Sequence, residues 1–109
     1  MDVTQSPPSA DYTPVTDLSA TSLTLVKAHV GNVIRTSSAS AIAITLPSDT
    51  VGAFDTDTTS MQTIGIYVGG AGVPTVTGSG ATLVGTAPTM AQYGMYGITR
   101  VGADTWAWM

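Results

Sequence analysis

Short runs in which large apolar residues alternate with small or polar ones predict that this chain is built from β-strands. The clearest run is residues 41–46 (AIAITL), where every second residue is a large aliphatic and Pro47 follows. Ala41, Ala43 and Thr45 occupy the positions between them. Because side chains alternate between the two sides of a strand, the aliphatic side should be buried. The small, uncharged side would allow another strand layer or subunit to approach closely.

Similar runs recur along the chain between Gly, Pro, Asn and Asp turn signals, and no segment has the spacing of an amphipathic helix. The clusters at residues 69–72, 78–80 and 102–104 are predicted to be hairpin turns. The pattern indicates an all-β domain of about eight short antiparallel strands, forming a compact β-sandwich or a barrel-like fold. The other strand candidates are residues 23–26, 32–37, 62–68, 73–77, 81–84, 92–101 and 105–109.

The first 17 residues (MDVTQSPPSADYTPVTD) are rich in Pro, Ser, Thr and Asp and show no hydrophobic period. They predict an extended N-terminal arm, with the β domain at residues 18–109. Two interpretations are open. The arm is either a flexible tail or a clasp that orders against a neighbouring subunit, with Tyr12 and Val15 as its apolar anchors.

Charge is scarce in this sequence, which excludes several functions. Charged residues make up 9% of the chain, against about 25% in an ordinary soluble domain. The acids are all Asp, and the only cations are Lys27, Arg35 and Arg100, for a net charge of −4. Nucleic acids and anionic membranes both require a basic surface, so neither is an expected partner. Cysteine is absent from the sequence, so it contains no thiolate site.

The sequence lacks the combinations of residues that catalysis and metal binding require. The only histidine, His29, stands just before a glycine turn without an evident second catalytic group. Asp55 and Asp57 are too few for Ca²⁺, which takes six to eight oxygen ligands. We therefore expect no enzyme activity, no metal and no cofactor.

Aromatic residues concentrate in the C-terminal strands and have two interpretations. They belong either to the core or to a face that binds protein or sugar. Trp106 and Trp108 share one side of a strand, and Trp106 is expected in the core. Tyr93, Tyr96 and Trp108 are the predicted contact residues among them.

Several stretches, taken in order, resemble a small β domain that recurs in structural proteins of tailed bacteriophages. These are residues 23–35 (LTLVKAHVGNVIR), 37–47 (SSASAIAITLP), 63–83 (TIGIYVGGAGVPTVTGSGATL) and 91–106 (AQYGMYGITRVGADTW). Two departures from the family pattern stand out. The loop at residues 49–60 replaces a shorter connection. Gly94 and Gly97 replace larger residues, so we expect a bend or a bulge in that strand.

The resemblance implies a virion structural protein without catalytic residues. A short chain with little beyond this domain favours a capsid decoration (cement) protein. It would be a homotrimer on the capsid exterior that binds the major capsid protein and bridges coat subunits. The alternative is a receptor- or glycan-binding module of a tail fibre or another tail appendage. The predicted interface residues are Tyr12, Val15, Ala41, Ala43, Thr45, Tyr93, Tyr96 and Trp108.

Overall fold

The structure is a computed structural model, and it describes residues 14–56 and 61–109. Within these residues the chain forms nine strands, one helical turn (α1, Asp49–Gly52) and a 3₁₀ turn (Lys27–His29). The strands are β1 (Val15–Leu18), β2 (Ser22–Thr24), β3 (Val33–Thr36), β4 (Ile42–Pro47), β5 (Thr63–Val68), β6 (Pro74–Ser79), β7 (Thr82–Val84), β8 (Met95–Gly102) and β9 (Thr105–Trp108).

The all-β prediction is confirmed, and each of the eight predicted strands is present with small shifts at its ends. The ninth strand, β1, was not expected. It begins at Val15, inside the predicted arm, and crosses the predicted boundary between residues 17 and 18. The first 13 residues of the arm, including Tyr12, lie outside the described residues.

The strands form two sheets, and the chain passes back and forth between them. One sheet has the order β1-β3-β5-β8-β9-β7 and the other has the order β2-β4-β6. From β1 to β6 the chain therefore winds through three coils, each of which adds one strand to each sheet. Strands stacked by such a winding run in the same direction, and these pairs are all parallel.

The predicted antiparallel arrangement is consequently wrong for most of the molecule. Among the described strands, only the β5–β8 and β8–β9 pairs are antiparallel, because the chain reverses direction within one sheet only at the C-terminal end. The last pair, β7–β9, is again parallel.

Stacked aliphatic side chains form a single hydrophobic core that draws on both sheets. In the three-stranded sheet, Leu23, Ile44 and Val76 stand in one row across the strands. In the six-stranded sheet, Ile34 pairs with Ile66, and both are fully buried. Complete burial of such a side chain stabilises the fold by about 1.5–3 kcal/mol. The alternation seen in the sequence therefore places similar side chains in rows across the strands, and each coil contributes one residue to a row.

The glycines at residues 69–72 do not form the predicted hairpin. They make the corner where the chain leaves β5 for β6 in the other sheet, and this corner lies on the previous one, at residues 37–40. A Cβ on Gly70 would overlap the Ser38 carbonyl oxygen, and a Cβ on Gly72 would overlap that of Ser40. Close approach of two backbones is therefore why glycine is needed here.

Residues 78–80 are not a hairpin turn either: Gly78 and Ser79 end β6, and after Gly80 the chain passes to β7 in the other sheet. Residues 102–104 do join β8 to β9 as a hairpin, as predicted. The irregularity expected near Gly94 and Gly97 is displaced: Gly94 precedes β8, and Gly97 pairs regularly with Gly65. The register shifts instead between Arg100 and Gly102, where β8 turns toward the hairpin.

Candidate interaction surfaces

The three-stranded sheet turns a face of small, uncharged residues outward, which we call the hydroxyl face. Its two rows run straight across the three strands and are Ser22–Ala43–Thr75 and Thr24–Thr45–Thr77. Ala41, at the start of the same strand, and Ala43 are exposed, and Thr45 is half-buried. The predicted division of residues 41–46 into a core side and an outer side is confirmed. The interface role of the outer side stays a prediction.

The outer side of the six-stranded sheet contains a groove of about 580 Å³, which we call the apolar groove. Its floor is Gly65 on β5 and Gly97 on β8, which face each other as a cross-strand pair. Its walls include Val33, Met95 and Met109. The groove is therefore a product of strand pairing, since these residues are far apart in the sequence.

Val15, a predicted contact residue, extends the same row at the sheet edge. It is 50% exposed and pairs with Val33, which lines the apolar groove. An apolar strip thus continues from the groove to β1, at the edge of the sheet. Tyr12, the other predicted anchor, lies outside the described residues.

Two of the predicted contact aromatics, Tyr96 and Trp108, lie on the core side of the sheet. Both are half-buried and pack against the hydrophobic core. Tyr96 Oη accepts a hydrogen bond from Ala91 N–H at 2.9 Å. Trp106 is fully buried, with Phe54 edge-on to it at 5.1 Å between ring centroids. Because Trp106 and Trp108 share one side of β9, burial of the first brings the second to the core, which favours a structural role for it.

Tyr93 is the predicted contact aromatic that reaches solvent, with 70% of its surface exposed. Its backbone has φ of 68°, a left-handed conformation that bulky residues rarely adopt. The Tyr93 N–H donates to Val68 O at 2.6 Å, which holds the turn against the end of β5. The turn thus presents the ring outward, beside the sheet and not within it.

A buried ion pair fastens α1 to the β8–β9 hairpin. Arg100 Nη2 donates to Asp49 Oδ2 at 2.7 Å, and Arg100 Nε donates to Asp49 Oδ1 at 3.1 Å. The side chains are 6% and 9% exposed. The Asp104 N–H adds a hydrogen bond to Asp49 Oδ2 at 2.9 Å. The hydrogen bonds from Arg100 hold the pKa of Asp49 below its ordinary value, although burial opposes this.

The other two cations make exposed ion pairs with aspartates. Arg35 Nε lies 2.7 Å from Asp17 Oδ1 on the outer side of the six-stranded sheet, and Lys27 Nζ lies 3.0 Å from Asp55 Oδ1. The hydrogen bond from Arg35 lowers the pKa of Asp17. All three cations are thus neutralised locally, and none is left to form a basic surface.

His29 belongs to the 3₁₀ turn and serves the main chain there. Its Nδ1 accepts a hydrogen bond from Val26 N–H at 2.9 Å, and burial lowers the pKa of the ring. Across residues 14–56 and 61–109, no group of three or more His, Cys, Asp or Glu side chains is placed to hold a metal ion. Of the two loop aspartates, Asp55 pairs with Lys27, and Asp57 lies outside the described residues. The helices within these ranges are too short to cross a membrane.

Comparisons with protein-family models, with curated proteins and with solved structures found no match for this chain. Sequence reasoning identified the hydroxyl face but missed the apolar groove. The sequence features that could have indicated the groove were two isolated glycines within predicted strands. One of them, Gly97, stood out as a departure from the bacteriophage domain. Nothing local in the sequence placed Gly97 opposite Gly65, or Met109 beside Gly97.

Proposed function

We propose that this chain is a structural protein of a tailed-bacteriophage virion, a sandwich-like module that decorates the capsid exterior and stabilises the head by bridging coat subunits. The observation that carries the proposal is that both sheets turn nearly uncharged faces outward. The resemblance to virion β domains indicates the kind of partner that would cover these faces, namely other proteins of the virion.

Surfaces of this kind suit permanent packing between proteins. The hydroxyl face consists of Ser, Thr and Ala alone, so covering it removes no charge from water. Apolar area at the groove adds about 25 cal/mol for every Å² removed from water. Interface centres are depleted in charged residues and enriched in aromatics and Met. The composition of both faces therefore supports a role in packing against other proteins more than a catalytic role.

The proposed partners are the major capsid protein and further copies of this chain, as a homotrimer. The segment at residues 1–13 would act as the clasp between subunits, with Tyr12 as its anchor. Val15, the other predicted anchor, belongs to the edge strand β1, which pairs with β3 of the same chain, and its exposed side chain would extend the contact.

The alternative, a receptor- or glycan-binding tail module, has less support. Stacking on sugars requires exposed aromatic faces. Trp106 is buried, and Tyr96 and Trp108 pack against the core. Tyr93 remains as an exposed ring and would be the first residue to replace in a glycan-binding assay.

Copy number in purified virions tests the proposal. Quantitative mass spectrometry would compare this chain with the major capsid protein and with a tail-fibre protein of the same particle. A decoration protein is expected in hundreds of copies, in a fixed ratio to the coat protein. A few copies per particle, matching the tail fibre, would overturn the head assignment and favour the tail alternative.

A further inference from the structure

Apolar side chains are exposed along the outer side of the six-stranded sheet. Met95 is 57% exposed, Met109 73% and Val84 40%. Val15, Val33, Gly65, Gly97 and Met109 lie in one row across the sheet, which contains the floor of the apolar groove, and Val84 lies in the neighbouring row, opposite Ala107. Contiguous exposed apolar surface of this kind marks interaction sites in soluble proteins.

The glycine floor of the groove is not explained by the fold of the chain itself. Gly65 and Gly97 lie inside regular strands without positive φ, so the backbone does not demand glycine at either position. Glycine within a strand weakens it, and it often marks a site that another backbone or a ligand approaches closely. The groove therefore has the shape of a contact surface.

The walls over this floor are adaptable. Met95 Cε lies 3.0 Å from the point where a Cβ on Gly65 would stand, and Met109 Cε lies 3.3 Å from the corresponding point on Gly97. These are the flexible ends of unbranched side chains, which can move aside or repack around an incoming group. Methionine is used in this way at binding surfaces.

The charge distribution allows a second copy of this acidic chain as the occupant. The chain has a net charge of −4, yet β5, β9 and β7 turn no charged side chain to the outer side. The charges on that side of the described strands are Asp17 and Arg35, which neutralise each other at the β1 edge. Two copies can therefore meet at this surface without like-charge contact, in spite of their net charge.

We propose that the apolar groove is the surface through which one copy of this chain packs against another. The inference deepens the proposed self-association and does not depend on the capsid location. A decoration protein and a tail module could both use it.

The decisive experiment is light scattering of the intact protein over a dilution series, with a groove variant and a matched control. Met95→Lys with Met109→Lys places two charges on the groove walls. Val51→Lys with Val73→Lys adds the same two charges at exposed positions on α1 and before β6, away from the groove. We expect the wild type and the control to associate equally, and the groove variant to need at least about tenfold more protein.

A second variant keeps the test valid if added lysines disturb the fold. Gly97→Thr fills the groove floor with a residue that suits strands, and its Cβ would press on the flexible end of Met109. It should weaken association while the monomer melts at the wild-type temperature or above. A wild type that stays monomeric at all concentrations, or a groove variant that associates like the control, would overturn the inference.

Other occupants give different results. Loss of association on deleting residues 1–13, with full association in the groove variant, would assign the contact to the N-terminal segment and overturn the inference. Binding of coat protein at the groove by a monomeric chain would also overturn it. The copy-number measurement would stand in either case, so failure of this inference is distinguishable from failure of the proposed function.

Discussion

Replacing Arg100 with methionine should destabilise this protein more than any surface charge change. In the native chain the Arg100 guanidinium makes two hydrogen bonds to the Asp49 carboxylate, and both side chains are more than nine-tenths buried. Arg100→Met keeps an unbranched apolar stem but leaves Asp49 charged, buried and close to Asp104.

Removing one partner of a buried ion pair costs about 3–5 kcal/mol, because the other charge stays uncompensated. That is a large part of the 5–15 kcal/mol that holds a typical domain folded. For a chain of this size each kcal/mol corresponds to about 4–8 °C in melting temperature. We therefore expect the variant to melt at least about 12 °C below the wild type at neutral pH.

The dependence on pH should also change. Because Arg100 lowers the folded-state pKa of Asp49, this contribution to stability is present above the unfolded-state pKa and is lost as the pH falls through the lower, folded-state value. In Arg100→Met the largest lowering cause is gone, so burial, which raises the pKa of Asp49, is opposed only by the hydrogen bond from the Asp104 N–H. Protonation then relieves the buried charge, so the stability deficit relative to the wild type should shrink as the pH falls below about 4.

Urea unfolding followed by tryptophan fluorescence, from the buried Trp106 and the half-buried Trp108, would measure both effects at neutral and at acid pH. Arg35→Met is the matched control, since it removes the same side chain from an exposed pair with Asp17 and should not shift the unfolding midpoint measurably. Equal midpoints for the two variants at neutral pH would refute the reasoning. So would a deficit in Arg100→Met that does not change with pH.

Three other substitutions test the packing, each by thermal or urea unfolding. Gly72→Ala should cost about 3 kcal/mol or more, because its Cβ would overlap the backbone of the preceding corner. Gly102→Ala should be nearly neutral, because its Cβ would come no closer than 3.9 Å to the Thr105 side chain. Thr36→Val should raise stability by about 1 kcal/mol, because the buried Thr36 hydroxyl has no hydrogen-bond partner among the described residues; destabilisation would contradict this. Tyr93→Gly should leave stability unchanged or higher by up to about 1 kcal/mol, since the left-handed backbone strain is relieved and little packing is lost; a clear loss would indicate unrecognised packing by the ring.

The positions of the strands could be predicted from this sequence, but their partners could not. Alternation in residues 41–46 identified β4 and both of its faces, because burial of one side of a strand imposes a period of two. Direction and pairing carry no such local signal. The glycines at residues 69–72 looked like a hairpin turn, and only the position of the preceding corner shows that they are needed for stacking between coils.

The site was predictable to a similar extent. Ala41, Ala43 and Thr45 followed from strand phase alone. Tyr96 and Trp108 were predicted as contact residues, although the phase shared with Trp106 already linked Trp108 to the core in one of the two interpretations. Residues of β1 were assigned to the arm because Pro14 and Asp17 are typical of loops, whereas pairing with β3 overrides that preference.

The three-coil winding also determines the order in which this chain can acquire its contacts. The β8–β9 hairpin closes across a short turn, whereas β3 must wait for β5, which lies beyond the whole loop that contains α1. Contacts between distant segments form more slowly, because loop closure costs entropy before pairing offsets it. During synthesis the first two coils therefore emerge with open edges in both sheets, and they stay open until the third coil arrives. Folding of this protein should accordingly be limited by the arrival of its third coil.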